Sequence, residues 1–140
     1  MSPELAAAGR RRYVSLTTFR RSGVGVSTPV WIAPAGDALT AVTDGSTGKA
    51  KRLRNNPAVV IRECDARGRV RPGAVAVDAV VELVTDPAQQ QPLLAALERK
   101  YGWQLRAYDA VERGVRRIRR SGPGSTVLLR ITDPGALGGS

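Results

Sequence analysis

Short runs of β-branched and aliphatic residues, separated by turns bearing glycine and proline, dominate the chain and predict strands. Residues 13–19 (YVSLTTF) are the first run, closed by the turn RRSG, and residues 24–33 (VGVSTPVWIA) are the next. Pro29 lies inside this second run. Proline has no N–H for a ladder, which predicts an edge, a bulge, or a place where a ligand replaces a neighbouring strand. PAGD turns the chain into 38–43 (ALTAVT), completing a three-stranded meander that should set the STPVW strand beside 38–43. Residues 58–64 (AVVIREC), 74–84 (AVAVDAVVELV) and 125–132 (STVLLRIT) supply three further strands, the middle one with Asp78 and Glu82 facing outward.

The period changes in three places. Residues 48–55 place Ala50 and Leu53 on one side, with Arg54 at its margin and Pro57 beyond, and predict a short helix. Asp86 and Pro87 predict the capped start of a second, with an apolar stripe of Leu93, Leu94, Leu97 and Tyr101 and a stop at Gly102. Val111, Val115 and Ile118 recur opposite Arg113, Arg116, Arg117 and Arg120, an amphipathic basic helix that SGPG breaks. Residues 1–12 form an N-terminal segment and 133–140 a frayed tail. Six strands with inserted helices and no βαβ alternation predict a mainly β (α+β) domain, an antiparallel barrel or sheet, and 140 residues suit a single core.

No apolar run approaches the ~20 residues of a membrane helix. The opening MSPELAAAGRRR places its charge after a short alanine run and lacks an apolar h-region, so a cytoplasmic location is expected. A single cysteine, Cys64, cannot pair internally and reads as a buried, inert thiol. The net charge is +10, and of 22 cationic residues only Lys49, Lys51 and Lys100 are lysines. Arginine forks suit phosphate and carboxylate alike, so the balance predicts an anionic partner. Nucleic acid is the bulkiest such partner, yet the chain has no zinc signature, no RNP motif and no strand interleaved with aromatics. There is no histidine, which removes Ser-His-Asp and Cys-His mechanisms and histidine-ligated zinc. No catalytic acid or base stands out, and an enzyme built from this composition would leave the difficult chemistry to a cofactor.

The densest charge lies in 45–57, GSTGKAKRLRNNP. A P-loop would need glycine at Thr43 and a hydroxyl at Ala50, so that motif fails. What remains is a loop with Ser46, Thr47 and Gly48 leading into a helix whose first amides point outward, an anion site to which Lys49 adds full charge. Arg52 follows three residues later, near Lys49, while Lys51 and Arg54 read as solvated neighbours. The plainer account is that all four merely coat a solvated helix.

The succession YVSLTTFRRSGVGVSTPVW, VTDGSTGKAKRLRNNPAVVI and ERKYGW resembles the pyridoxamine 5'-phosphate oxidase-like split-barrel proteins, most closely their deazaflavin (coenzyme F420)-dependent branch. The resemblance runs from about Tyr13 to Thr132. It implies a six-stranded antiparallel split β-barrel of the FMN-binding type that dimerises and binds two cofactors in grooves between subunits. Lys49 and Arg52 would hold the cofactor phosphate, with Ser46, Thr47 and Gly48 in the loop, and Pro29, Val30, Trp31 and Thr43 would border the ring system. Arg71, Pro72 and Gly73 would close the groove from the partner subunit, and the helix around Arg116 would face the glutamate tail of F420, unless it is only a solvated face. FMN in the same groove is the alternative cofactor, and a small unsaturated or quinone-like molecule would be the substrate. Trp31 and Trp103 are equally readable as core or interface anchors, and Asp78 and Glu82 as partners of nearby arginines.

Overall fold

The computed structural model describes residues 1–44, 48–107 and 126–135. Ser46, Thr47 and the basic helix expected over 111–120 lie outside the described residues, as does the side chain of Trp103.

The N-terminal segment forms a helix, α1 (Pro3–Gly9). The Ser2 hydroxyl accepts from the Leu5 amide at 3.2 Å, and Pro3 occupies the first turn, where no N–H is missed. Four strands follow: β1 (Val14–Phe19), β2 (Gly25–Val30), β3 (Ala33–Ala35) and β4 (Ala38–Asp44). Then come α2 (Gly48–Asn55), β5 (Ala58–Glu63), β6 (Val77–Val84), α3 (Pro87–Ala107) and β7 (Thr126–Thr132).

The sheet has seven strands, not six, in the order β2-β1-β5-β6-β7-β4-β3, with every pairing antiparallel. The extra strand arises because the run 24–33 breaks at Trp31 and Ile32. Both backbone polar groups of Ile32 bond to the Tyr101 hydroxyl (3.0 and 2.8 Å) in place of a strand partner. The expected meander is corrected as well: β2 pairs with β1 alone, and β4 lies between β3 and β7. Pro29 does stand on an edge strand, opposite Ser15.

β2 and β3 end the ladder on opposite sides, yet only Trp31 and Ile32 separate them. Three residue steps span at most about 11 Å. The sheet must therefore curl until its two edges approach at that point, which makes a barrel closed at one end. Beyond it the barrel is split, because the β3–β4 ladder stops at Thr40 and nothing in the ladder pairs β2 with 41–44.

Inward residues of six strands fill the barrel: Val14 and Leu16, Leu39 and Ala41, Val59 and Ile61, Ala79 and Val81, Val127, Leu129 and Ile131, with Val30. Leu5 and Ala8 of α1 and Leu53 of α2 join the same core. A second cluster lies under α3, where Leu93, Leu97 and Tyr101 meet Ala33, Val84 and Leu128. Leu94, expected on that stripe, is instead 40% exposed. Asp86 caps α3 as expected, accepting from the Ala88 amide at 3.1 Å. Gly102 has φ +38°, so the predicted stop is a kink with further helical turn up to Ala107. Among the described residues no helix is long and apolar enough to cross a membrane.

Candidate functional site

Helix α2 follows β4 and packs against β1, β4 and β6. Its periodicity sorts the charges. Ala50 and Leu53 are buried, Lys49 and Arg52 are half-buried, and Lys51 and Arg54 are exposed. Burying the two apolar side chains against the barrel carries the flanking residues 49 and 52 partly out of water with them.

Arg52 is fixed in place. Its Nε donates to the Thr18 hydroxyl at 2.6 Å, and Thr18 is only 1% exposed, on the barrel-facing side of β1. The guanidinium also lies back over the first turn of α2: a Cβ on Gly48 would come within 2.9 Å of Nη1. Glycine there leaves room for the fork. Lys49 stands next to it, its pKa lowered first by burial and then by the Arg52 charge. Two like charges thus sit half-buried at the positive end of a helix dipole, with no acidic residue in the first turn. Among the described residues neither has a carboxylate partner. Three repulsions converge there, and an anion would relieve all of them. Thr18 was not anticipated from sequence; the alternation of Val14, Leu16 and Thr18 turns it inward but does not show that it meets a residue 34 positions away.

The other expected residues fall into two groups. Thr43 is buried near the end of β4, and Val30 is buried at the end of β2. Pro29 is exposed on its edge, where Gly68 fits close to its ring: a Cβ there would be 3.2 Å from Cδ. Trp31 stacks on Tyr101 (centroids 4.3 Å apart, 25° between planes) and meets Tyr13 edge-on at 6.2 Å. Arg71 lies elsewhere in the fold, 3.3 Å from Glu63, which also meets Arg11 at 3.5 Å. Pro72 is exposed, and Gly73 turns with φ +78° at the edge of a cavity of about 260 Å³ that Glu4, Arg11 and Glu63 also line.

The described residues include no group of three or more acidic or thiol side chains that could hold a metal ion. Cys64 is buried and its pKa is raised, foremost by burial, so it is a poor nucleophile. Tyr101 is pushed up to about 12, again foremost by burial, and is no acid at neutral pH. What this arrangement offers is an anion grip beside the split between β2 and β4.

The pyridoxamine 5'-phosphate oxidase family model matches residues 1–132. The chain belongs to this family. Solved structures with the same fold include a conserved hypothetical protein from Mycobacterium tuberculosis (22% identity, TM-score 0.65, 96% of this chain and 81% of that one). An F420 reductase matches at 19% identity and TM-score 0.59, over 94% of each chain. The heme storage protein of Vibrio cholerae matches at 16% identity and TM-score 0.64, over 94% of this chain and 89% of its own. No curated protein matches. The family binds flavin-type cofactors and includes oxidoreductases, and the split barrel is its frame.

Thr18→Val should separate fold from site. Losing the hydrogen bond that the charged Arg52 guanidinium donates, about 1.5–3 kcal/mol, is expected to weaken anion binding by up to roughly ten- to hundred-fold. Cofactor fluorescence titration measures it; an unchanged affinity would show that the Arg52 fork works without its anchor.

Proposed function

We propose that this protein is a homodimeric oxidoreductase that uses reduced F420 to transfer hydride to a small unsaturated or quinone-like molecule. The observation that carries the reading is the half-buried Lys49 and Arg52 pair over Gly48, a site whose charge calls for a phosphate. The F420 reductase that shares the fold supports the choice of cofactor.

The deazaflavin, when bound, supplies the hydride. The chain's own residues would do the rest. Lys49 and Arg52 hold the phosphate, with Gly48 admitting the Arg52 fork and Ser46 and Thr47 offering hydroxyls from the loop. Pro29, Val30, Trp31 and Thr43 border the ring system at the split, where β2 offers an edge that no strand covers. Arg71, Pro72 and Gly73 would close the groove of the partner subunit. No protein acid or base is assigned, so catalysis rests on positioning two reactants in a near-attack geometry.

Titrating the purified protein with F420 and FMN side by side tests this. Quenching of F420 fluorescence with saturation in the micromolar range, and weaker FMN binding, is the expected result. A protein that purifies yellow with flavin would move the reading to FMN in the same groove. Binding of F420 with no oxidation of the reduced form across a substrate panel would make the protein a carrier rather than an enzyme.

A further inference from the structure

A second basic depression, about 430 Å³ in volume, opens between the end of α1, β3 and α3, and no residue of α2 or β1 lines it. Gly9, Arg10, Pro34, Ala96, Arg99 and Lys100 line it. Half of these are cations, Arg10 just beyond α1 and Arg99 and Lys100 on α3, and no described acidic residue lines it. The neighbouring Arg11 turns to Glu63, whereas no hydrogen bond or ion pair among the described residues engages the Arg10 or Arg99 guanidinium. Lys100 behaves differently. Its ammonium donates to the carbonyls of Gly9 (2.8 Å), Arg11 and Ile32, so its donors are spent and it contributes charge alone. Proline, alanine and glycine form the remaining wall and present no side-chain group to compete for an anion.

We propose that this depression is a second anion site, in which the Arg10 and Arg99 forks hold a compact, multiply charged phosphate-type oxyanion beside the Lys100 ammonium. Guanidinium forks match phosphate oxygens in pairs, and two of them facing one open cleft suit a dianion better than a single carboxylate. The site depends on none of the residues assigned to the cofactor. Because Lys100 also binds the Ile32 carbonyl, occupancy would brace the link between β2 and β3.

The test is an NMR titration with inorganic pyrophosphate at constant ionic strength, following the amides of Gly9 and Lys100 for this site and of Gly48 for the other. Saturable shifts at Gly9 and Lys100 are expected in the native protein and, with equal affinity, in Lys49→Ala. In the double variant Arg10→Gln/Arg99→Gln that affinity should fall about ten-fold or more, with the Gly48 response intact. Both arginines are exposed, and an unchanged thermal midpoint without ligand confirms that the variant is folded. Shifts at Gly9 and Lys100 that chloride reproduces, or that the double variant leaves unchanged, would overturn the proposal whatever Gly48 shows. A parallel titration with glycerol phosphate identifies the source: tighter binding than pyrophosphate supports a phosphorylated small molecule, and weaker binding supports the inorganic ion.

Discussion

Lys49→Ala is expected to weaken F420 binding roughly ten- to hundred-fold, the effect of losing one charge-assisted hydrogen bond of about 1.5–3 kcal/mol. Fold stability should hold or rise slightly, because the substitution also removes a half-buried charge that Arg52 repels. That opposition of signs is the diagnostic: a residue that merely coated a solvated helix would move neither quantity. The pH profile gives a second reading. The free protein holds the Lys49 pKa below its ordinary 10.5, and a bound phosphate would raise it again. The complex then keeps a proton that the free protein gives up, so affinity should fall as pH rises, beginning below 10.5. In Lys49→Ala this part of the fall should vanish. Equal F420 affinity in native and variant protein would remove Lys49 from the site and, with it, the main support for the cofactor reading.

The division of charges on α2 was legible because a helical period and two apolar positions, Ala50 and Leu53, fix which flanks are drawn inward. The strands were legible for a similar reason, since alternation reveals faces. It does not reveal partners. Residues 24–43 read as a meander because sequential strands usually pair, whereas here β4 pairs with β7 across more than eighty residues and β2 is left on the edge. The division of 24–33 into two strands was likewise invisible: nothing local at Trp31 and Ile32 stops a strand, and the cause is a tyrosine 69 positions away that takes both backbone groups of Ile32. Helix α1 left only a capping signature, Ser2 and Pro3, since seven residues are too few for a stripe. Thr18 and Lys100 share this character. Each meets its partners only once the barrel has closed.

Tyr101→Ala should be among the most destabilising single changes, at about 3–5 kcal/mol for truncating a buried aromatic. The side chain is 3% exposed and its ring stacks on Trp31. Its hydroxyl accepts from the Ile32 amide and offers its one proton to the carbonyl of Arg12 or Ile32 (2.9 and 2.8 Å). These bonds tie α3 to the N-terminal segment and to the turn at which the barrel closes. Tyr101→Phe separates the contributions: it keeps the ring but leaves the Ile32 amide without its acceptor, at about 1–3 kcal/mol. Alkaline unfolding supplies a sharper signature. The folded phenol titrates at about 12, foremost because it is buried, and the unfolded one near 10. Between those values the folded state binds the extra proton, so native stability should decline as pH rises from 10 to 12. Lys100, pulled down to about 8 by burial, acts in the opposite sense over the lower window from 8 to 10.5, where the unfolded chain holds the proton. Denaturant melts across both windows should therefore show stability rising and then falling in the native protein, with the fall reduced in Tyr101→Phe. Because the same hydroxyl sets the path of Trp31 and Ile32, Tyr101→Phe should also loosen the β2 edge and weaken F420 binding. Loss of stability with cofactor affinity fully retained would show that the split between β2 and β4 is held open by the barrel alone.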